Sequence, residues 1–342
     1  MTLQPFLTIP YPIFVGHGLL DRVGSLVKAR GRVFVITSDA LRGRFGERVA
    51  ASFPEAGIIA FEEGEAHKTL ATAEAIITEL LERGAKRDSM AVVVGGGMIG
   101  DTAGFAASIF LRGIDLVHVP TTLLAQVDSS IGGKVAVNHP KGKNLIGSFH
   151  PPAAVVSDID VLETLPHRER LSGLFEALKG GVIADPELFA MFEERRVDTE
   201  EVVRRAIKVK ADIVAADERE ADLRRLLNYG HTIAHGIEAA MHYEGITHGE
   251  AVAWGMIGAN AIAARRGLLA EEEQARIDGT IRAYEPMPLP ALDAEEIVAA
   301  TEHDKKNTGR ERVMVLPHAV GDVRVTADIG DEELLYGVEA IL

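Results

Sequence analysis

The first half of the chain alternates between short apolar runs and segments whose apolar residues recur at helical spacing. Runs such as VFVIT and MAVVV suit buried strands, and the intervening segments predict amphipathic helices. Strands that alternate with helices predict a parallel sheet of the α/β class. The predicted strands are 33–37, 57–61, 90–94 and 115–119, and the predicted helices are 40–53, 71–83 and one that follows GGGMIGD.

After DIDVLETLPHRER the pattern is helical almost throughout, and only VMVLP and DVRVTADI near the C-terminus predict strands. We therefore predict an α/β fold with an N-terminal α/β domain at 1–165 and a C-terminal, mainly α-helical domain at 166–342. A cleft between two such domains is a common place for a ligand. The predicted helices are 169–182, 186–196, 199–216, 223–241, 248–266, 271–282 and 294–305.

Composition narrows the class of protein. The 342 residues are 47% hydrophobic and 25% charged, as in ordinary globular proteins. No apolar run reaches the roughly 18 residues of a membrane span, and the N-terminus lacks signal-peptide features, so we expect a cytoplasmic protein with no membrane partner. The chain has no cysteine, so a bound metal must be held by His, Asp or Glu. The net charge of −15 argues against a nucleic-acid partner.

A glycine-rich segment, VVVGGGMIGD, joins the strand predicted at 90–94 to a helix. Glycines at such a turn let the backbone approach a phosphate, and a helix N-terminus favours negative charge. Gly95, Gly97 and Gly100 match the GxGxxG pattern, but a tight turn under a packed helix has the same spacing. The TSD segment (37–39) is also open to two interpretations, a contact with an adenosine ribose or, as its spacing favours, an ordinary helix cap.

The segment VPTTLLAQVDSSIGGKVAVNHPKGKNLIGSFHPP (119–152) is polar and rich in glycine. Its lysines, among them Lys134 and Lys143, lie near a Gly-Gly turn, where they suit a phosphorylated anion. A solvated surface loop is the alternative. The apolar residues mixed among the charges favour the anion site.

Four of the twelve histidines lie between residues 227 and 252. His231 and His235 are four residues apart and share a helical face, as metal-chelating pairs do, although position 232 is Thr and the HExxH motif is absent. His248 begins the next predicted helix, and Glu176 lies far upstream in an apolar helix. A structural histidine pair and a metal site are both open on spacing alone.

The histidines are preceded by a possible polar stripe. Glu220, Arg224, Asn228 and His231 follow one another at steps of four, four and three, which would place them on one face of the helix predicted at 223–241 and just before it. A solvated, salt-bridged face is the alternative.

Together these segments resemble the 3-dehydroquinate synthase family. The resemblance rests on GGGMIGD, LRG, VPTTLLAQVDSSIGGK, GKNLIGSF, FEALK, RRLLNYGHTIAH and HGEAVAWGM, which occur in the family's order from about residue 95 to residue 256. Several of these motifs are long, so their joint occurrence is specific.

The resemblance implies an N-terminal nucleotide-binding domain and a C-terminal helical metal- and substrate-binding domain, with the active site between them. It implies a metal- and NAD-dependent phosphorus–oxygen lyase of the shikimate pathway, which supplies aromatic amino acids. Such an enzyme converts 3-deoxy-D-arabino-heptulosonate 7-phosphate to 3-dehydroquinate and phosphate through transient oxidation, elimination, reduction and aldol closure. The implied cofactors are NAD+ and zinc or cobalt, and the implied assembly is a homodimer.

The resemblance also implies roles for individual residues. The metal ligands would be Glu176, His231 and His248, and His235 would contact the substrate phosphate instead of the metal. The remaining catalytic and substrate residues would be Lys134, Lys143, Asn144 and Lys306 (or Lys305) at the phosphate, Arg112 at a neighbouring subunit's phosphate, Arg224 and Asn228 at the carboxylate, and Asp128, Lys179, Lys210 and Glu220 at the ring hydroxyls and waters. The NAD contacts would be Asp39, Glu65, Lys68, Gly96, Gly97, Asp101, Thr121 and Thr122.

Three other functions compete with this one. Another sugar-phosphate cyclase, of the 2-deoxy-scyllo-inosose or valiolone type, acts on a substrate without a carboxylate, so the presence of both Arg224 and Asn228 argues against it. A metal-dependent polyol dehydrogenase would release NADH and would not need the lysine-rich phosphate site. A non-catalytic NAD- or metal-binding regulator is disfavoured because none of the implied functional residues is missing.

Overall fold

The apolar runs of the first half form a six-stranded parallel sheet in the computed structural model, which describes residues 8–219, 222–308 and 312–342, without the side chains of 302–308. The strands are β1 (Ile13–Gly16), β2 (Val33–Ser38), β3 (Ala56–Phe61), β4 (Met90–Gly95) and β5 (Asp115–Pro120); β6 (Lys134–His139) and β7 (Gly142–Phe149) form a separate antiparallel hairpin, and β8 (Ala154–Asp158) completes the sheet. The strand order is β1-β8-β5-β4-β2-β3, and every neighbouring pair is parallel. The predicted α/β class is confirmed.

The connections of the sheet change direction between β2 and β4. From β2 the chain continues outward to β3, whereas β4 pairs with the other side of β2 and leads on to β5. Open parallel sheets bind ligands beyond the carboxyl ends of the strands at such a point. β2 ends at Ser38 and β4 at Gly95, so the TSD and GGG segments lie at the same end of adjacent strands.

The helices of this half are α1 (Val23–Leu26), α2 (Asp39–Leu41), α3 (Glu47–Ala51), α4 (Leu70–Glu82) and α5 (Gly97–Ile109). The single helix predicted at 40–53 is wrong, because a π-helical turn, Arg42–Gly46, separates α2 from α3. That turn contains Gly43 and Gly46, and glycine disfavours a regular α-helix. The core between sheet and helices includes Phe34, Ile36, Leu80, Val93 and Phe105.

The segment 119–152, for which a solvated surface loop was the alternative, contains the hairpin of β6 and β7. Val135 and Val137 of β6 are buried, which anchors the hairpin against α5. The close approach requires Gly104, since a Cβ there would lie 2.6 Å from Val135 Cγ1. The apolar residues within this polar segment therefore hold its lysine-bearing strands in place.

The second half of the chain is mainly helical. Its helices are α6 (His167–Ala184), α7 (Pro186–Glu193), α8 (Thr199–Ala216), α9 (His231–Ala240), α10 (His248–Arg265), α11 (Glu271–Arg282), α12 (Ala294–Thr308) and α13 (Asp331–Glu339), and β9 (Met314–Ala319) and β10 (Asp322–Thr326) form an antiparallel hairpin. α10 is buried from Gly249 to Ala263 and packs against α6, α9, α11 and α13. The chain divides into two compact units, Met1–Leu165 and Pro166–Leu342.

The continuous helix predicted at 223–241 is wrong. Leu223–Asn228 is a 3₁₀ helix, the chain turns at Gly230 with φ +81°, and α9 begins afresh at His231. The single helical stripe through Arg224, Asn228 and His231 is therefore wrong as well, because a glycine in the left-handed region ends the helical path. Glu220, its first member, lies outside the described residues.

Six of the described α-helices and strands were not predicted: α1, β1, β6, β7, β8 and α13. β1 has four residues and β8 has five, too few for a clear periodic signal. Among the helices that the structure describes, none has the length and apolar character needed to cross a membrane.

Candidate functional site

Three side chains from three helices of the second unit converge on one point. Glu176 comes from α6, His231 is the first residue of α9, and His248 is the first residue of α10. One ligand atom from each lies within 4.8 Å of the others. Glu176 Oε1 is 3.7 Å from His231 Nε2 and 3.6 Å from His248 Nε2. Two imidazole nitrogens and a carboxylate oxygen form a donor set typical of zinc and related divalent metals.

The carboxylate of Glu176 is oriented by a lysine of the same helix. Lys179 Nζ lies 2.5 Å from Glu176 Oε2, and both side chains are buried. Glu176 Oε1, in contrast, is buried without a hydrogen-bond partner. Leaving a charged acceptor buried and unpaired is costly, and a cation bound between Oε1 and the two Nε2 atoms would remove that cost. The cluster therefore fits a divalent metal.

Each of the two histidines has its other ring nitrogen near an acceptor. His231 Nδ1 is 3.2 Å from the carbonyl oxygen of Tyr229, and His248 Nδ1 is 3.4 Å from Glu238 Oε1. Such contacts favour a proton on Nδ1 and leave Nε2 as the lone-pair donor. Burial lowers the pKa of His231 well below its ordinary value, and the charge of Lys179 lowers it further. The neutral imidazole that ligation requires is thus favoured.

The turn before α9 places His231. Gly230 adopts φ +81°, and a Cβ there would lie 2.9 Å from the backbone nitrogen of Met256 and 3.1 Å from the carbonyl oxygen of Val252. Only glycine suits both the left-handed conformation and the close approach to α10. The sequence NYGHT therefore starts α9 at His231, with the ring on the side of Glu176.

A capping box starts α10 at His248. Thr247 Oγ1 accepts the backbone N–H of Glu250 at 3.4 Å, and Glu250 Oε2 accepts the backbone N–H of Thr247 at 2.9 Å. Arg168 of α6 donates to the same carboxylate at 2.7 Å. Burial acts to raise the pKa of Glu250, but hydrogen bonds from Arg168 and Thr247 outweigh it and lower the pKa. The start of α10 is thereby attached to α6, the helix that carries Glu176.

In the first unit, the glycine segment lies at the carboxyl end of β4 and leads into α5. A Cβ on Gly96 would lie 2.9 Å from Thr122 Cγ2, and one on Gly97 would lie 3.1 Å from Ser129 Oγ. Thr121 is buried, and its backbone N–H donates to the carbonyl of Gly95. A glycine backbone at the start of a helix, next to the point where the sheet connections change direction, is the arrangement that binds dinucleotide phosphates.

The TSD segment caps a helix, as its spacing favours. Ser38 Oγ accepts the backbone N–H of Leu41 at 3.3 Å and donates to Glu63 at 2.7 Å. Thr37 is buried and donates to the carbonyl of Val94. Asp39 is exposed at the start of α2, where its carboxylate is accessible to a ligand at the ends of β2 and β4.

A buried ion pair lies beside the glycine segment. Lys68 Nζ is 2.5 Å from Asp101 Oδ2, and the Lys68 side chain is only 7% exposed. Burial raises the pKa of Asp101, and Lys68 opposes the rise. Glu65, three residues before Lys68, accepts a hydrogen bond from Asn138 of β6 at 2.7 Å. The segment 65–68 is thus tied both to α5 and to the lysine-bearing hairpin.

Matches to known proteins cover most of the chain. The model described as 3-dehydroquinate synthase N-terminal matches residues 58–172, and the model described as 3-dehydroquinate synthase C-terminal matches residues 173–307. The chain belongs to the 3-dehydroquinate synthase family.

A 3-dehydroquinate synthase from Pelotomaculum thermopropionicum is 43% identical over 350 residues, which covers 96% of this chain and 94% of the relative. A solved structure of 2-deoxy-scyllo-inosose synthase with carbaglucose-6-phosphate, NAD+ and Co2+ matches with a TM-score of 0.90 at 29% identity, over 100% of both chains. A 2-epi-5-epi-valiolone synthase from Streptomyces hygroscopicus with NAD+ and Zn2+ matches with a TM-score of 0.87 at 28% identity, over 100% of this chain and 99% of the other.

The structure gives the surroundings of further residues to which the resemblance to the 3-dehydroquinate synthase family assigned roles. His235 lies beside the cluster, with its ring 5.6 Å from that of His231 and 6.4 Å from that of His248, and its side chain is exposed. Lys210 and Arg224 are buried, and Arg224 donates to the carbonyl of Glu218 at 2.6 Å. Asn228 is exposed, and Asp128 is partly buried. Glu220 and the side chain of Lys306 lie outside the described residues.

The residues assigned to the phosphate lie on or near the hairpin. Lys134 is the first residue of β6 and is exposed, while Lys143 and Asn144 lie at the start of β7. Asn144 adopts φ +57° and Arg112 adopts φ +72°. Asn144 is linked through Asn138 to Glu65, whereas Arg112 follows the C-terminal end of α5.

Two residues near these groups were missed by the sequence reasoning. Glu238, whose carboxylate lies near His248, is three residues after His235 and seven after His231, so helical spacing could have shown that it shares their face. Asn138, between Glu65 and Asn144, carried no signal of its own in the sequence. Its position depends on a strand pairing that was not predicted.

Proposed function

We propose that this chain is a 3-dehydroquinate synthase, which converts 3-deoxy-D-arabino-heptulosonate 7-phosphate to 3-dehydroquinate and inorganic phosphate. The observation that carries the proposal is the Glu176–His231–His248 cluster, with its unpaired buried oxygen, in a chain whose family membership extends over both units. As a soluble biosynthetic enzyme it would act in the cytoplasm, which agrees with the absence of cysteine.

The cofactors of the proposed enzyme are NAD+ and zinc or cobalt. The glycine segment, Asp39, Glu65, Lys68 and the Thr121–Thr122 pair would hold NAD+, which supplies transient hydride acceptance when bound. Glu176, His231 and His248 would hold the metal, which would supply Lewis-acid polarisation of the substrate oxygen.

Side chains around these groups supply binding and charge compensation. Lys134, Lys143, Asn144, His235 and Lys306 would bind the phosphate dianion, and Arg224 and Asn228 the carboxylate. Asp128, Lys179, Lys210 and Glu220 would order the ring hydroxyls. Three of these cations, Lys179, Lys210 and Arg224, are buried in a chain with a net charge of −15, and buried charges act strongly on a bound anion. Holding the flexible sugar acid in one geometry promotes the closing aldol step.

Arg224 supports the proposed reaction over that of the inosose synthase compared above. Carbaglucose-6-phosphate, bound in the inosose synthase, has no carboxylate. Arg224 is 2% exposed and attached through Nη1 to a backbone carbonyl, so its guanidinium is held in a fixed orientation. A fixed guanidinium favours a planar carboxylate.

The proposed assembly is a homodimer to which Arg112 of each subunit contributes. Exposed apolar residues lie on the same segment and on the end of β7: Ile109, Leu111 and Phe149 are 44%, 39% and 48% exposed. Ser108 and Ser148 are hydrogen-bonded at 2.7 Å, so the two segments that carry these residues are adjacent. Exposed apolar patches mark association surfaces. Sedimentation of the wild type and of Phe149→Asp tests the assignment, with the dimer expected only for the wild type.

The proposed activity is tested by measuring phosphate release from the heptulosonate 7-phosphate with NAD+ and zinc, together with dehydroquinate formation. Release with product and without net NADH, lost on chelation and in His248→Ala, supports the proposal. The matched control is His242→Ala, because His242 is an exposed histidine of the same segment. NADH accumulation with a simple polyol would establish a dehydrogenase, and cyclisation of heptulose 7-phosphate alone would establish another cyclase.

A further inference from the structure

Asn138 occupies an irregular position in the β6–β7 hairpin. The pairing of the two strands shifts register between Val137 and His139, so Asn138 is left out of the regular ladder. Its backbone instead pairs with the segment before α4: its N–H donates to the carbonyl of Lys68 at 2.8 Å, and it forms an isolated bridge with Thr69. β-Bulges are frequent beside active sites because they redirect a side chain.

The side chain of Asn138 makes two further hydrogen bonds in opposite directions. Nδ2 donates to Glu65 Oε1 at 2.7 Å, and Oδ1 accepts the backbone N–H of Asn144 at 2.9 Å. Asn144 adopts φ +57°, a conformation in which few residues other than glycine are comfortable. The bond from its N–H to Asn138 helps to hold that turn of the hairpin.

The chemistry of the amide is specific to this position. One end must donate to a carboxylate and the other must accept from an N–H, and an asparagine does both with a short side chain. An aspartate would keep the acceptor for Asn144 but would place a carboxylate against that of Glu65. A serine or alanine would be too short to reach both partners.

We propose that Asn138 is a positioning residue that couples the nucleotide segment (Glu65 and Lys68) to the phosphate-binding hairpin (Lys134, Lys143 and Asn144). The inference rests on the proposed function, because the proposed function assigns NAD+ to one segment and phosphate to the other. If NAD+ orders the nucleotide segment and phosphate orders the hairpin, the asparagine bonded to both transmits the effect. Ordering of one segment then makes ordering of the other easier. NAD+ and phosphate then bind cooperatively, and the coupling is reciprocal.

The test measures the Kd of NAD+ by calorimetry on the full-length, zinc-loaded protein, with and without saturating inorganic phosphate. Phosphate is expected to tighten NAD+ binding by about fivefold or more in the wild type. In Asn138→Asp the ratio of the two Kd values is expected to fall close to one, and KM for the heptulosonate phosphate to rise more than kcat falls. The control is Glu74→Gln, an exposed acid of α4, the next helix along the chain, in which the ratio is expected to stay as in the wild type.

A second variant guards against a folding defect. Glu65→Ala removes the acceptor of Asn138 Nδ2 and leaves the hairpin sequence intact. It is expected to weaken NAD+ binding in general and also to abolish the effect of phosphate. A rescue variant follows: in Glu65→Gln/Asn138→Asp the new amide can donate to the new carboxylate, and the phosphate effect is expected to return in part.

The outcomes separate the inference from the proposed function. A wild type that binds no NAD+ overturns the proposed function. A wild type with the phosphate effect, together with an Asn138→Asp or Glu65→Ala variant that keeps it, overturns the coupling through Asn138. Loss of the effect in both variants, with unfolding temperatures near that of the wild type, supports it.

Discussion

Glu238 illustrates how one residue near the proposed metal ligands sets their properties. It is buried, and its carboxylate lies 3.4 Å from His248 Nδ1. His231 has a backbone carbonyl in the equivalent place. A carboxylate makes the imidazole a stronger ligand than a neutral carbonyl does. Mutation can remove the carboxylate partner of His248, but it cannot remove the backbone carbonyl that is the partner of His231.

Replacement of Glu238 is predicted to weaken metal binding while the three ligands remain. Glu238→Ala should reduce zinc affinity about 10–100-fold, because the orientation and basicity of His248 are lost. Glu238→Gln keeps an acceptor and should lose less. Competition with a chromogenic chelator measures the affinities, and Glu244→Gln, an exposed acid after α9, is the control. Equal zinc affinity in wild type and Glu238→Ala would show that the contact has no such role.

Spacing alone was a poor guide to the ligands. His231 and His235 share a helical face, yet the pair that converges with Glu176 is His231 and His248, because a helix start and a neighbouring helix point their Nε2 atoms at the same oxygen. The family resemblance implied this set of three residues. The chain's lack of cysteine had already limited the donors to imidazole and carboxylate.

At the level of helices, α6 and α10 are joined near the cluster by a buried carboxylate. Glu250→Gln is predicted to destabilise the fold by about 1–3 kcal/mol near neutral pH, because the charge-assisted bond from Arg168 is lost. Since folding lowers the pKa of Glu250, its contribution is present above the ordinary value of 4.5 and disappears as pH falls through the lowered, folded-state pKa.

Urea unfolding of wild type and Glu250→Gln measures this contribution. The gap between their free energies of unfolding should be widest near neutral pH and should narrow toward about pH 4 and below. A gap that does not change with pH would contradict the role of the charge. Glu272→Gln, in the first turn of α11 and exposed, is the control for the loss of one negative charge.

The contact between α6 and α10 also depends on Gly249, which has no side chain. A Cβ on Gly249 would lie 2.0 Å from the carbonyl oxygen of Ser172, so Gly249→Ala must move one helix. We predict a loss of about 1–3 kcal/mol of stability together with weaker zinc binding, since His248 and Glu176 are carried by these two helices. Gly279→Ala on α11 is the control, because a Cβ there meets nothing within 4 Å and alanine favours helix. If Gly249→Ala were as stable as the Gly279→Ala control, the packing explanation would be wrong.

Elements with a strong period were predicted well, and those held by distant partners were not. α8 and α11 begin and end at the predicted residues, because their apolar positions recur over several turns. β1, with four residues, gains its stability by pairing with β8, far along the chain. Leu223–Asn228 and α9 appeared as one helix because the left-handed turn at Gly230 leaves the apolar spacing almost unchanged.

At the level of the entire chain, the proposed ligands belong to different units. We predict that NAD+ alone slows hydrogen exchange chiefly in the first unit, around 65–68 and 95–101, and that zinc alone slows it around 172–179 and 229–250. A ligand at 100 times its Kd stabilises the state it binds by about 2.7 kcal/mol. Exchange followed by mass spectrometry measures each effect. Protection by zinc confined to the first unit would contradict the assignment of the metal site.

Periodicity, composition and motifs were sufficient for the parallel α/β class of the first half, the helical second half, the restriction to His, Asp or Glu as metal donors, and the family. These properties are local or additive along the chain, so they can be inferred without a three-dimensional structure. The arrangement of the atoms depended on contacts between residues remote in sequence. Glu65 meets Asn138 and Arg168 meets Glu250 only because strands and helices pack as they do. Only the folded chain therefore determines which oxygen of Glu176 remains unpaired and which nitrogen of each histidine faces that oxygen.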